Sequence, residues 1–232
     1  MTNSAGRGGP QSIPRPPEWR CVDPDPYRLT PSLDVAGIEA VLVDYEPGEL
    51  VLGPAVKRPP VPGRRSAVLI AIYDGEHGPT TILTRRPKHM RKHAGEIAFP
   101  GGGLEDGDDS LWETALREAH EEVALDPRTP RQIGMLDRFV TGASYSLVQP
   151  FIAALGQGPE LTASPDEVDV ILHVPLTELA HLDTYWQEEW LWDGSWRPMH
   201  FYGLVGDTVW GATAFMLHQL LSFLGRTSQD PM

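Results

Sequence analysis

Apolar residues run without a break through 67–73 and return at Ile82 and Leu83, after the turn-forming stretch D-G-E-H-G-P. That pattern predicts a buried strand over 66–73 with a hairpin partner over 80–84. Further strands are predicted over 134–140 and 147–155, separated by T-G-A-S-Y-S, and over 168–174, which leads into a short helix in P-L-T-E-L-A-H. Aromatic-rich runs at 184–192 and 196–204 flank D-G-S, a hairpin signal, and tryptophans concentrate in 186–210 with the alternation of sheet packing. Helical spacing governs two other segments. One carries Trp112, Ala115, Leu116, Ala119 and Val123 on one side, and the other, over 211–224, carries Phe215, Met216, Leu220 and Phe223. Residues 35–44 fit a short helix or a strand. Strands mixed with two principal helices predict the α/β class, a mixed sheet covered on both faces as an α/β/α sandwich. The chain shows no internal repeat.

Composition changes this picture mainly at the ends. At 232 residues and 41% hydrophobic, the chain can bury one substantial core. Residues 1–34 hold Pro10, Pro14, Pro16, Pro17, Pro24, Pro26 and Pro31, which predicts an extended or partly ordered arm ahead of a domain over 35–226 and a C-terminal tail over 227–232. Residues 57–65 form a Pro- and Arg-rich connection. The lone Cys21 excludes an intramolecular disulfide and fits a reducing compartment. No apolar run approaches a membrane span, and the first ten residues lack the apolar core of a secretory signal. The expectation is therefore a cytoplasmic protein without a membrane partner. Oligomeric state is left open by the sequence.

Charge brings in the chemistry. Nineteen basic residues against 32 acidic ones give a formal charge of −13, which repels nucleic acid and any polyanionic substrate. Within this acidic chain Arg117-Glu118-Ala119-His120-Glu121-Glu122 sets three carboxylates on one side of a helix. Like charges at these spacings cost roughly 0.2–0.5 kcal/mol per pair, which a divalent cation more than offsets. Hard oxygen donors suit Mg²⁺ or Mn²⁺, whereas the plain alternative is a solvated acidic face. Phe99-Pro100-Gly101-Gly102-Gly103 precedes the helix and can bring backbone close to a ligand. Residues 85–93, R-R-P-K-H-M-R-K-H, concentrate five of the 19 Lys and Arg residues. On charge alone that stretch reads equally as a solubilising, nucleic-acid or phosphate patch, and its place beside the glycine loop favours phosphate. His89 and His93 lack a reliable helix to align them as a metal pair, and His120 reads as a surface residue.

The stretch from Gly103 to Leu125 resembles the Nudix hydrolase signature G-x5-E-x7-R-E-U-x-E-E-x-G-U, with U a bulky aliphatic residue. Gly103, Arg117, Glu118, Glu121, Glu122 and Leu125 match; Asp109, Ala119 and Ala124 depart, the last replacing the second glycine. Upstream, Leu83-Thr84-x-Arg86, Arg91, Gly95 and Phe99-Pro100-Gly101-Gly102 resemble the L-L-T-x-R-[SA]-x3-R-x3-G-x3-F-P-G-G pattern of the coenzyme A pyrophosphatase subfamily, from which Ile82 and Pro87 depart. The two motifs cover about 44 residues, 82–125. Fainter likenesses continue in Val148-x-Pro150-Phe151, Glu167-Val168, Val174-Pro175-Leu176 and Trp210-Gly211-x-Thr213-Ala214.

The resemblance implies a Nudix-type α/β/α sandwich whose signature forms a loop–helix–loop. It implies metal held by Glu118, Glu121 and Glu122, catalysis by Arg117, Glu121 and Glu122, and an Arg117 that orients a glutamate of the signature. Arg117 can alternatively pair with Glu113 one turn away. Glu167 is an outside candidate for the base. Arg86, Arg91, Gly102, Gly103 and Tyr145 are the expected substrate contacts, with Tyr145 able to stack a base and Phe99 better suited to the core. The implied partner is a small nucleotide of the coenzyme A class, split at its diphosphate. ADP-ribose or a nucleoside triphosphate as substrate, and a catalytically idle nucleotide sensor, are the alternatives.

Overall fold

The apolar run at 67–73 becomes the central strand, and its two faces sort the core into halves. The structure, a computed structural model, describes residues 7–23, 27–30, 32–48, 50–53, 63–142 and 145–227. In chain order the elements are β1 (Trp19–Val22), α1 (Val35–Leu42), β2 (Val51–Leu52), β3 (Arg64–Gly75), β4 (Gly78–Arg85), β5 (Ile97–Ala98), β6 (Gly101–Gly103) and α2 (Leu111–Val123). They continue as β7 (Arg131–Met135), β8 (Phe139–Val140), β9 (Ser146–Ala154), β10 (Val170–Pro175), α3 (Leu176–Leu179), β11 (Tyr185–Trp192), β12 (Ser195–Leu204), β13 (Asp207–Val209) and α4 (Gly211–Thr227).

The larger sheet follows the order β10-β4-β3-β9-β8-β2, with β5, β6 and β7 added to β4, β3 and β9. It is mixed: β3 and β9 run parallel from Arg64↔Ser146 to Ile72↔Ala154, while β4 returns antiparallel across the turn at Gly75↔Gly78. Ala67, Leu69 and Ala71 pack with Ala115, Ala119 and Val123 of α2. Ile70 and Ile72 belong with Ile38 and Leu42 of α1 and Leu217, Leu220 and Leu221 of α4. Each such fully buried aliphatic side chain contributes about 1.5–3 kcal/mol. The layers are those of the expected α/β/α sandwich. No helix among the described residues is long and apolar enough to cross a membrane.

A second, antiparallel sheet, β1-β11-β12-β13, was not foreseen as a separate layer. Its centre is the aromatic hairpin, closed by Asp193 (φ 49°) and Gly194 (φ 75°), the mirror-image turn whose twist matches paired strands. Trp190, Met199 and Phe201 form a small core of their own with Ile13 and Trp186 packed against it.

The N-terminal segment is woven into this sheet. β1 pairs with β11 in the register Trp19↔Trp190, Arg15 forks onto the buried Glu188 with a shortest distance of 2.7 Å, and Tyr27 shares hydrogen bonds with Tyr202 (2.7 Å) and His218 (2.8 Å). Proline excludes helix here but suits an edge strand, and a buried glutamate requires a cation. Residues 1–6, 24–26 and 31 of that segment, Glu49, residues 54–62 with most of the connection, Ala143 and Ser144, and 228–232 of the tail lie outside the described residues.

Two further differences have local causes. The strand expected over 134–140 divides into β7 and β8, where the Asp137 N–H turns from the sheet to the Gln219 side chain (3.1 Å). Residues 35–42 are helical, with Asp34 at the N-cap accepting from Gly37 N at 2.7 Å.

Candidate active site

β6 reaches β3 because its glycines leave room. A Cβ on Gly102 would overlap the Glu118 carboxylate, and one on Gly103 would overlap the Arg64 guanidinium. The strand therefore has a carboxylate pressed on one residue and a cation on the next. β6 pairs with β3 at Ser66↔Gly103 and Val68↔Gly101, which fixes this loop against the central strand.

α2 follows after seven residues. Ser110 caps its first turn by accepting from Glu113 N at 3.2 Å, and the Glu113 carboxylate reaches back to Asp109 N at 2.9 Å. That engagement takes Glu113 away from the pairing with Arg117 considered above. At the far end Ala124 adopts φ 56°, with its N–H on His120 O at 2.9 Å, where the signature has glycine. The left-handed conformation strains an L-residue. Ala124→Gly is expected to raise the melting temperature by about 1–4 °C, corresponding to roughly 0.5–1 kcal/mol. A thermal melt checks it, and a lower midpoint would remove the strain argument.

Arg117 is the hub of the helix's polar side. Its Nε and Nη2 fork onto Asp108 Oδ1 (2.9 Å) and Oδ2 (3.1 Å), Nη2 also reaches Gly103 O (3.1 Å), and Nη1 lies 3.0 Å from Glu121 and 3.1 Å from Glu118. Asp108 also accepts from Thr114 Oγ1 (2.9 Å) and Glu105 N (3.0 Å), and the Arg117 guanidinium holds its carboxyl well below the usual range. Arg117 is thus a positioning residue that ties the glycine loop to two carboxylates.

The three glutamates do not share one environment. The Glu121 side chain is 50% exposed and Glu118 14%, while Glu122 is buried at 4%. Burial pushes the Glu122 carboxyl up to about 8; Arg86 opposes this, the charges of Glu118 and Glu167 add to it, and the Gly101 N–H relieves it. Glu118 is likewise raised by burial, with Arg117 opposing and Glu121 and Glu167 adding. Glu167 therefore lies close enough to act on both. Its segment is held to the end of α2, with Thr162 N on Val123 O (3.0 Å) and Ser164 N on Glu122 O (2.9 Å).

Among the described residues no three histidine, cysteine, aspartate or glutamate side chains converge as a ready-made metal cage. The chemistry nevertheless fits a hard divalent ion. The donors are carboxylate oxygens, and two of them are raised by burial with neighbouring carboxylates adding, a cost that a bound cation would relieve. Glu118 and Glu122 are the inner pair; Glu121 lies outward on Arg117.

The expected substrate residues separate in the same way. Arg86 acts on Glu122, and its Nε is buried without a hydrogen-bond partner among the described residues, an open donor beside the carboxylates. Arg91 is exposed on the loop between β4 and β5. Tyr145 is 43% exposed with φ 52°. It precedes Ser146, the partner of Arg64, so it shares the sheet end where Gly103 lies. Phe99 is in the core. His93 is bonded to Glu96 at 2.8 Å, and His120 is exposed on α2 with Nδ1 3.1 Å from Leu125 O.

Sequence reasoning missed Asp108 and Arg64. The first sits one residue from the signature position, and the second lies within the Pro- and Arg-rich connection, where only its closeness to Gly103 of β6 reveals its place.

A family profile described as NUDIX domain matches residues 63–192, a span containing every side chain of this site. The chain is 38% identical over 172 residues to NudL of Photorhabdus laumondii subsp. laumondii, described as an uncharacterized Nudix hydrolase, covering 74% of this chain and 91% of that one. It is 36% identical over 187 residues to the NudL of Shigella flexneri, with the same description, covering 76% and 91%. Among solved structures, a MutT protein from Methanosarcina mazei Go1 superposes with a TM-score of 0.46 at 18% identity, covering 75% of this chain and 100% of that one. With that profile matching more than half of its length and the acidic helix intact, the chain belongs to the Nudix family and is a hydrolase of diphosphate bonds.

Proposed function

We propose that the protein hydrolyses the diphosphate of coenzyme A or its thioesters, releasing 4′-phosphopantetheine or its acyl form and adenosine 3′,5′-bisphosphate. What carries the reading is the buried Arg86 Nε, without a partner among the described residues, beside the raised carboxyl of Glu122: an open donor for a phosphate oxygen next to donors for a metal. The choice of coenzyme A rests on the upstream motif, Leu83 to Gly102, and on the cationic loop after Arg85, which suits a third phosphate.

In this reading Glu118 and Glu122, with Glu121 nearby, hold Mg²⁺ or Mn²⁺, which neutralises phosphate charge and lowers the pKa of water. Arg117 keeps Glu118 and Glu121 in place. Arg86 and Arg91 meet phosphate oxygens, Gly102 and Gly103 let the diphosphate approach the backbone, and Tyr145 stacks on the base. Water adds to one phosphorus, the bridging P–O bond breaks, and a carboxylate takes the water's proton; Glu167 is the candidate because it acts on both inner glutamates. A cytoplasmic setting agrees with the free, exposed Cys21.

The test supplies coenzyme A, dephospho-coenzyme A and ADP-ribose in parallel with Mg²⁺ and separates products by chromatography. Preferential cleavage of coenzyme A to adenosine 3′,5′-bisphosphate is expected. Preference for ADP-ribose, or for a nucleoside triphosphate tested beside it, would sink the substrate assignment and keep the chemistry; binding without turnover would favour a sensor.

A further inference from the structure

We infer that the N-terminal segment is a working part of the substrate site, with Gln11 as a positioning residue that latches the cationic loop between β4 and β5. The inference rests on reading that loop as the substrate's phosphate contact. The loop leaves β4 at Arg85 and returns at Ile97, and two bonds close its base: Arg86 N to Glu96 O (3.0 Å) and Gly95 N to Arg86 O (3.1 Å). Lys88, Arg91 and Lys92 crowd like charge into it, against which an outside tie helps to hold its shape.

Gln11 supplies that tie from 84 positions away. Its amide nitrogen donates to Gly95 O (3.1 Å) and to Asp207 Oδ1 (2.7 Å), while its oxygen accepts from Thr208 N (2.7 Å). Both donors and the acceptor are thereby used, an arrangement that neither glutamate nor alanine can reproduce. Asp207 is buried and also receives Arg85 Nη1 (3.1 Å), whose Nε reaches Asp169 (3.1 Å). Asp169 N returns to Arg85 O (2.8 Å), two residues beyond Glu167. One node therefore joins the N-terminal segment, both ends of the cationic loop and the turn that carries the candidate base.

The segment's own seat does not depend on this side chain. Gly8 N bonds Leu204 O (2.7 Å), Gly9 N bonds Thr208 Oγ1 (3.0 Å), and Arg7 Nη1 reaches Thr184 Oγ1 (2.7 Å). A Cβ at Gly9 would lie 2.6 Å from Asp207 Cα, so the backbone runs in contact with β13. Removing the Gln11 amide frees the loop and leaves the segment docked.

The experiment uses the full chain with Gln11→Ala and Gln11→Glu. In Gln11→Ala the KM for coenzyme A is expected to rise about 5–10-fold with kcat within about twofold, the pattern of a lost positioning contact. The melting temperature is expected to move by less than about 3 °C. Amide exchange at Arg86 and Gly95 is expected to quicken about tenfold while β3 is unchanged. In an Arg86→Ala, Arg91→Ala background the Gln11→Ala effect on KM is expected to vanish, because both act through one loop. Gln11→Glu, with a charge against Asp207, is expected to exceed Gln11→Ala in exchange and KM.

Unchanged exchange overturns the inference whether or not coenzyme A is a substrate, since that measurement needs none. Additive KM effects in the double background, or a loss of kcat and melting temperature together, also overturn it and leave Gln11 a tie of the fold alone. If the wild type turns over ADP-ribose instead, the substrate assignment falls separately and the KM comparison is made with ADP-ribose. If it turns over neither, the inference falls with the reading it rests on.

Discussion

Glu122→Gln is expected to lower diphosphate hydrolysis by about 10²–10³-fold and yet to make the metal-free protein more stable at pH 8.5. Loss of activity follows, on the proposed reading, from removing a charged metal donor from the inner pair, Glu118 and Glu122. The gain in stability follows from burial. The folded carboxyl is raised to about 8, whereas an unfolded glutamate titrates near 4.3, so between these values the native state holds a proton that the unfolded chain has released. Wild-type stability therefore falls as pH rises through that window, by at most about 1.4 kcal/mol per unit for this group, and levels off above it. Glutamine stays neutral and escapes the penalty while still accepting from Gly101 N. Arg86 loses its counter-charge in the variant, which offsets part of the gain and leaves a net difference on the order of 2 kcal/mol. Urea unfolding at pH 5 and pH 8.5 reads the difference, with diphosphate hydrolysis measured beside it. Millimolar Mg²⁺ is expected to reverse the order by stabilising the wild type more than the variant. A variant less stable than the wild type at pH 8.5 without metal would mean that Glu122 is not the strained carboxylate, and retained turnover would remove it from the chemistry.

The fold was legible wherever burial leaves a pattern in the chain. β3, covered on both faces, shows it as a continuous apolar run, and α2, covered on one, as Ala115, Ala119 and Val123 at helical spacing. β6 was not legible as a strand because three glycines have no periodicity; only the pairing of Gly101 to Gly103 with Val68 to Ser66 makes it one. The second sheet was legible as a hairpin and not as a layer. Its edge strand comes from the N-terminal segment through the pair Trp19↔Trp190, and a Pro-rich composition carries no sign of so distant a partner. Gln11 was invisible for the same reason, since its neighbours are Gly95, Asp207 and Thr208.

In the site, the acidic triplet could be read from the sequence and its inequality could not. At about 100° per residue, Glu122 lies about 40° from Glu118 and Glu121 about 60° to the other side. The sheet covers the side bearing Ala115, Ala119 and Val123, and Glu122 adjoins that stripe, so it is buried while Glu121 reaches water. How far that flank closes over Glu122 is a tertiary fact. Arg117 shows the same limit: helical spacing offers Glu113, but the N-terminal cap has already engaged that carboxylate.

Asp108→Ala and Asp109→Ala are expected to behave oppositely, against the alignment with the signature. The signature places its first acid at 109, yet both Asp108 oxygens take the Arg117 fork, and Thr114 Oγ1 and Glu105 N complete the shell. With Asp108 only 6% exposed and Arg117 24%, its loss leaves a half-buried cation short of its main partner and is expected to cost about 2–4 kcal/mol. Arg117 then has Gly103 O, Glu118 and Glu121 as neighbours, and the loop it fixed through Gly103 loosens, so activity is expected to fall about 10–100-fold. Asp108→Asn separates the causes: it keeps the shape, loses the charge, and is expected to fall between. Asp109 gives its backbone N–H to Glu113, while its side chain is exposed, so Asp109→Ala is expected to stay within about 0.5 kcal/mol. Since Arg117 holds the Asp108 carboxyl low, the wild type's advantage over Asp108→Ala is present above the ordinary aspartate pKa near 3.9 and is lost as pH falls through the depressed native value. Chemical denaturation at pH 7 and pH 3, with turnover at neutral pH, reads all three variants. Equal losses at the two positions, or the larger loss at 109, would return the structural acid to its place in the signature and leave Arg117 held by a partner other than the one its geometry selects.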